Sequence, residues 1–216
     1  MTPITVPSPM RLAVFASGGG SNLGALLDAI DAGGLAATVA LVVTDRGGIG
    51  ALDRAHQRGI PTATLAPASP GDPAFSASLM DVLARHEVHA IALAGYLKMV
   101  PVPVLEAFPN RVLNIHPSLL PAFGGHGLYG ARVHRAVLAY GAKVSGATVH
   151  LVDAEYDTGP VVIQEAVPVL PDDTPRGLAA RVLAVEHEIY PRALALLADG
   201  RLSLDGRLVR IRPQQP

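Results

Sequence analysis

An α/β fold on a doubly wound, mostly parallel sheet is what this sequence predicts. Three observations carry that expectation. Short apolar runs alternate with helical patterns through the first half of the chain. Three distinctive stretches, "SGGGSN", "GYLKMV" and "NIHPS", fall at the ends of those runs, where open α/β sheets bind ligands. Half of the 216 residues are hydrophobic and 16% are charged, material enough for one well-buried domain.

The elements follow in order. "RLAVFA" (11–16) is a strand that ends at the glycine stretch, and "NLGALLDAIDAG" carries apolar residues at helical spacing until Gly33. "AATVALVVT" (36–44) is a β-branched strand, and "GALDRAHQRG" (50–59) a helix closed by Gly59. "PTATL" (61–65) is a weak strand; "PAFSASLMDVLARHE" (73–87) is a helix with proline in its first turn. "HAIALAG" (89–95) is a strand, "VPVLEAF" (102–108) a short helix and "RVLNIH" (111–116) another strand. "FGGHGLYG" (123–130) has no periodicity and reads as a mobile loop or lid.

In the second half, "KVSGATVHLV" (143–152) alternates, which predicts a strand with one wetter face. "GPVVIQEAVPVL" (159–170) is a further strand, antiparallel to it. A long helix spans 174–200, with Thr174 as N-cap, Pro175 at the first position and Pro191 expected to kink or split it. "RLSLDGRLVRI" (201–211) is a hairpin around Asp-Gly. The whole reads as a Rossmann-like sheet with helices on both faces and antiparallel strands in the C-terminal half. Residues 1–10 read as a flexible tail, 11–211 as a single domain and 212–216 as a C-terminal tail.

Composition excludes several classes. A net charge of −1 without charge blocks leaves no basic stripe for nucleic acid. No cysteine is present, so disulfides and thiolate metal sites are ruled out. No apolar run reaches the ~18 residues of a membrane span, and the N-terminus lacks the basic residues of a signal peptide. A cytoplasmic protein is expected. His86/His89 and His126/His134 lack further ligands, and Pro191 breaks an H-E-x-x-H pattern at His187-Glu188, so no metal site is expected.

Three constellations remain. In "SGGGSN" (17–22) glycines precede a helix N-terminus, an arrangement that suits a phosphate. Leu23 stands where a dinucleotide fingerprint needs glycine, and the stretch also reads as a plain turn capped by Ser21 or Asn22. In "NIH", Asn114 and His116 share one face of a strand that Pro117 stops. An amide can donate to an oxyanion and an imidazole can carry a proton, or the histidine is simply packed. In "EYDTGP", Asp157 either closes an Asx turn or orients an imidazole.

Taken together, "SGGGSNLGALLDAI", "LAGYLKMV", "NIHPSLLPAF", "VSGATVHLVDAEYDTGPVVIQEAVPV" and "EHEIYPRALALLADGRL" resemble the phosphoribosylglycinamide formyltransferase family, from about residue 11 to about 210. The resemblance implies formyl transfer from 10-formyltetrahydrofolate, the co-substrate, to the amine of glycinamide ribonucleotide in purine biosynthesis, without a metal. It implies Asn114 as oxyanion donor, and His116 as general acid/base with Asp157 orienting it and raising its pKa. Gly20, Ser21, Asn22, Leu23 and Gly24 would hold the nucleotide phosphate, and Glu186 the ribose or glycinamide end. The folate would lie against Leu97, Lys98, Met99 and Val100, against Asn114, and against the loop Asp153, Ala154, Glu155, Tyr156 and Asp157. The implied partners are small molecules, with no nucleic acid or membrane, acting on a monomer or homodimer. Two departures stand out: "AFGGHGLYGARVHRAV" is longer than in many relatives, and "PASPGDPAF" lacks an arginine that some relatives use for the folate tail.

Overall fold

The computed structural model describes residues 2–69 and 71–213. In chain order the elements are β1 (Thr2–Pro3), β2 (Met10–Ala16), α1 (Ser21–Asp31), β3 (Ala37–Thr44), α2 (Gly50–Gln57), β4 (Thr62–Thr64) and α3 (Pro73–Arg85). They continue with β5 (Ala90–Leu93), α4 (Val102–Ala107), β6 (Val112–His116), α5 (Ala131–Tyr140), β7 (Val144–Leu151), β8 (Val161–Pro168), α6 (Pro175–Ala198), β9 (Leu202–Asp205) and β10 (Leu208–Ile211).

Seven strands form one sheet in the order β4-β3-β2-β5-β6-β7-β8. The first five are parallel; β7 runs antiparallel to β6, and β8 antiparallel to β7. The alternation of each strand explains the two covered faces. From β2, Leu12, Val14 and Ala16 pack with Leu23 and Leu26 of α1 and with the apolar stripe of α6. Ala13 and Phe15 point the other way, to Leu79 and Leu83 of α3 and Val104 of α4. A strand buried on both sides has no polar face, which is why "RLAVFA" is apolar almost throughout.

The chain leaves β2 toward β3 and β4, then crosses back to β5 and β6. The carboxyl ends of β2 and β5 therefore diverge, which opens a crevice at the reversal point. "SGGGSN", "GYLKMV" and "NIHPS" all start there.

Four expectations are corrected. The N-terminal tail is not loose: β1 pairs with β9, Ile4 N donates to Leu202 O at 2.9 Å, and Ile4 and Met10 are buried. The free edge of the β9–β10 hairpin supplies the partner, and β2 already starts at Met10. Likewise Arg212 N still donates to Arg201 O, while 214–216 of the proposed C-terminal tail lie outside the described residues. Strand β7 has no wet face, because it runs between β6 and β8 and its polar residues meet the 118–120 segment. There Thr148 Oγ1 donates to Ser118 O at 2.6 Å and accepts from Leu120 N at 3.0 Å.

Helix α6 runs unbroken through Pro191, which is buried within its packed face. One missing hydrogen bond does not split a helix held against the sheet along its length. Its N-terminus is as expected, with Thr174 Oγ1 accepting from Gly177 N at 3.1 Å. Helix α5 has no counterpart in the sequence reading: it is a short segment between Gly130 and Gly141, with Val133 and Val137 buried.

The β7–β8 pairing leaves no room for a side chain at Gly146, where a Cβ would sit 2.1 Å from Glu165 O. Gly146→Ala should cost about 3 kcal/mol or more. Gly47→Ala, with nothing near its Cβ position, should stay within about 0.5 kcal/mol. Urea midpoints of the two variants check the contrast.

Candidate functional site

The crevice is a cavity of about 600 Å³, walled by the glycine loop, the 93–100 segment, the end of β6, the 125–134 loop and helix start, the 152–157 turn and one face of α6. Each wall is a loop launched from a rigid element.

At its centre lie Asn114, His116, His150 and Asp157. Asn114 and His116 share a face of β6 as their spacing requires, while Ile115 packs into the core. His150 lies directly across from Asn114 on β7. Its Nδ1 is 2.9 Å from Leu151 O, so Nδ1 carries the hydrogen and Nε2 is left as an acceptor. Asn114 Nδ2 donates to that Nε2 at 3.0 Å, and its second hydrogen points to Asp157 Oδ1 at 3.4 Å.

Asp157 sits in the left-handed region, φ 58°, a conformation aspartate tolerates better than most residues. Its Oδ2 accepts from Gly125 N at 2.9 Å and lies 3.4 Å from His116 Nδ1. The other ring nitrogen of His116 is 3.0 Å from Phe123 O. The glycine-rich loop expected to be mobile is thus tied to the site at two points.

Burial raises the Asp157 carboxyl, but His150, the charge of His116 and the Gly125 N–H outweigh it and hold it below its ordinary value. Burial also lowers His116 below the ordinary imidazole range, against the upward pull of Asp157. This corrects the expectation of a raised pKa: the sign of Asp157's influence is as implied, but desolvation is larger. At neutral pH the site holds an anionic carboxylate beside a neutral imidazole.

At one end of the cavity is the glycine loop. Gly20 precedes α1 in the left-handed region, φ 72°, and no side chain caps the helix. The plain-cap reading of Ser21 or Asn22 therefore fails, and the first N–H groups of α1 stay available. A Cβ on Gly20 would lie 2.8 Å from Ala51 Cα. Ala51 N donates to Gly18 O at 3.1 Å and Arg54 Nε to Gly19 O at 3.2 Å, so α2 fixes the loop's shape. Asn22 Nδ2 donates to Glu186 Oε2 at 2.7 Å, while Asn22 Oδ1 is buried without a partner. Burial pushes Glu186 up to about 7, opposed by Asn22.

The structure brings Gly20, Ser21, Asn22 and Glu186 to the cavity wall, but not Leu23 or Gly24. Leu23 is buried in the core, and Gly24 faces a hollow beside Arg54 on the other side of α1. At the opposite end Leu97, Lys98, Met99 and Val100 line the wall together with Asp153, Glu155, Tyr156 and Asp157; Ala154 does not. Asp153 Oδ1 shapes that turn by accepting from Thr158 Oγ1 at 2.7 Å.

Sequence reasoning missed His150, whose part depends on the β6–β7 register, and the Phe123 carbonyl and Gly125 N–H, which no side-chain pattern reveals. It also passed over Arg132, which lies over the Tyr129 ring at 4.7 Å on the cavity wall. Among the described residues, no group of three or more acidic or histidine side chains could hold a metal ion, and no helix is long and apolar enough to cross a membrane.

A family model described as formyl transferase matches residues 10–194. The chain is 46% identical over 198 residues to the chloroplastic phosphoribosylglycinamide formyltransferase of Arabidopsis thaliana, covering 91% of this chain and 68% of that one. It is 37% identical over 196 residues to the phosphoribosylglycinamide formyltransferase of Escherichia coli, covering 90% of each. Glycinamide ribonucleotide transformylase 1 from Symbiobacterium toebii superposes with a TM-score of 0.88 at 46% identity, covering 96% of each chain.

The buried carboxyl of Glu186 generates a pH dependence. Its folded pKa of about 7 stands above the ordinary 4.5, so the native state holds a proton that the unfolded chain gives up. The stabilisation is complete below pH 4.5 and lost as pH rises through 7, roughly 3 kcal/mol in all. Glu186→Gln should remove that slope, so its urea stability relative to wild type should improve from pH 5 to pH 8.

Proposed function

Because the chain belongs to the formyl transferase family, and within it to the phosphoribosylglycinamide formyltransferases, we propose that it transfers the formyl group of 10-formyltetrahydrofolate to the amine of glycinamide ribonucleotide. One observation supports this most. Asn114, His116 and Asp157 meet in a single cavity, between an uncapped helix N-terminus and the 97–100 segment.

The glycinamide amine attacks the formyl carbon, and the carbonyl oxygen becomes an oxyanion. Asn114 Nδ2–H donates to that oxygen as the charge develops. The attacking nitrogen, now positively charged, must lose a proton. His116, neutral because it is buried, accepts it at Nδ1, since Nε2 keeps its hydrogen on the Phe123 carbonyl. Asp157 then faces an imidazolium at Nδ1 and stabilises it. The proton passes on to the departing folate nitrogen, the tetrahedral intermediate collapses, and formyl-glycinamide ribonucleotide and tetrahydrofolate leave. His150 Nε2, in contact with Asn114 Nδ2, keeps the amide turned so that nitrogen faces the site.

The helix N–H groups, with Gly20, Ser21 and Asn22, receive the nucleotide phosphate. Glu186 and the unpartnered Asn22 Oδ1 face the hydroxyl or amine donors of the same substrate. Leu97 to Val100 and the 153–157 turn receive the folate. The co-substrates are small molecules; a cytoplasmic location and a monomeric or homodimeric state complete the proposal.

The test is deformylation of a 10-formyl folate analogue with and without glycinamide ribonucleotide. Nucleotide-dependent release supports the transferase, nucleotide-independent release a hydrolase, and no release a binding module. His116→Ala and Asp157→Asn should each lower kcat by about two orders of magnitude, the scale of lost acid–base catalysis; full activity in Asp157→Asn would sink its role. Ser21→Ala should mainly raise the nucleotide KM, and an unchanged value there would argue against the phosphate site.

A further inference from the structure

A second buried carboxylate stands outside the reacting cluster. Asp45 follows β3, and its side chain is 1% accessible. A carboxylate so enclosed needs a full set of donors. Arg46 supplies two of them, with Nε at 3.1 Å from Oδ1 and Nη2 at 2.7 Å from Oδ2. The Ser17 hydroxyl, at the end of the neighbouring strand, also helps to hold the carboxyl below its ordinary value.

The chemistry of the two groups fixes a direction. A serine hydroxyl has one hydrogen and two lone pairs, and an ionised carboxylate can only accept. Toward Asp45 the Ser17 hydroxyl can therefore only offer its hydrogen, which leaves its oxygen to accept. It accepts from Leu97 N at 3.0 Å. The relay runs Leu97 N–H to Ser17 Oγ–H to Asp45, across the ends of three neighbouring strands, β5, β2 and β3.

The place where it ends is informative. The β5 ladder continues beyond the strand, with Ala94 N donating to Phe15 O at 2.8 Å and Ser17 N to Gly95 O at 3.1 Å. Gly95 then turns through the left-handed region, φ 75°, and the chain leaves the sheet. Among the described residues, the bond to Ser17 is the one hydrogen bond the 97–100 segment makes to the rest of the protein. The glycine loop, by contrast, has its own ties to α2 through Ala51 and Arg54.

We propose that Ser17 and Asp45 are positioning residues for the formyl-donor half of the cavity, holding the 97–100 backbone in the geometry that receives the folate. The inference rests on the folate assignment made above. It places the relay's effect on one substrate, although Ser17 also stands at the root of the nucleotide loop.

Binding of a 10-formyl folate analogue and of glycinamide ribonucleotide is measured separately, by calorimetry, for wild type, Ser17→Ala, Asp45→Ala and Asp45→Asn. Ser17→Ala and Asp45→Ala should each weaken the folate analogue about tenfold, the scale of one buried bond lost, with nucleotide affinity within about twofold. Asp45→Asn keeps an oxygen for the Ser17 hydroxyl and should stay within about threefold of wild type for both ligands. Unchanged folate affinity in Ser17→Ala, parallel losses on both ligands, or Asp45→Asn as weak as Asp45→Ala would each overturn the inference alone. Should Asp45→Ala not fold, Ser17→Ala decides. A wild-type protein that binds no folate analogue overturns both this inference and the function it rests on.

Discussion

The buried carboxylate of Asp157 is the contact on which the site depends. It lies at the end of a turn after β7, yet its two oxygens meet β6 through Asn114 and His116, β7 through His150 and the glycine-rich loop through Gly125. A lone charge at that depth would be strongly unfavourable. The Asn114 and Gly125 N–H groups help to hold it ionised, and it in turn fixes where they point. Moving the 153–157 turn by an ångström would therefore disturb the amide, the imidazole and the loop together. The left-handed backbone at Asp157 shows that the turn is shaped to deliver this carboxylate.

A second constraint is steric. In the proposed reaction, nucleotide and folate can share one cavity only if the loops leaving β2 and β5 are rigid without filling the crevice between them. Glycine solves this at the β2 end: Gly20 packs on Ala51, and Gly50 packs on the Gly19 carbonyl, where a Cβ would lie 2.9 Å away. These contacts set α2 against the loop and leave the first N–H groups of α1 uncapped. At the β5 end the chain turns once at Gly95 and is then held by a hydroxyl. One loop is rigid through backbone packing, the other through a polar relay.

How much of this was legible in the sequence follows from the range of each interaction. Strands β2, β3, β5 and β6 read clearly because burial on both faces makes them apolar without interruption. Asn114 and His116 read as a pair because strand parity is local. The elements that misread depend on distant partners. The N-terminal residues look like a proline-rich tail until the β9–β10 hairpin offers an edge. Strand β7 looks half wet because Ser145, Thr148 and His150 are polar, and only the fold shows them enclosed. His150 became a site residue through the β6–β7 register, which no local pattern encodes. Asp157 was legible as a candidate from its turn, but its pairing with His116 came with the family resemblance, since that reach is a property of the fold.

The lowered pKa of His116 refines what Asp157 does. A histidine charged at rest would have no capacity to take the amine proton, so a resting pKa raised far above neutrality would oppose the first proton transfer. Burial prevents this by keeping the ring neutral. A ring that is only buried would bind the proton too weakly, because the imidazolium would stand uncompensated in a dry cavity. Asp157, 3.4 Å from Nδ1, removes that penalty selectively for the charged form. The two influences oppose each other in the resting protein and would act in sequence in the proposed reaction: desolvation makes the base available, and the carboxylate makes its conjugate acid tolerable. That division requires the carboxylate to stay ionised itself, which its own donors secure.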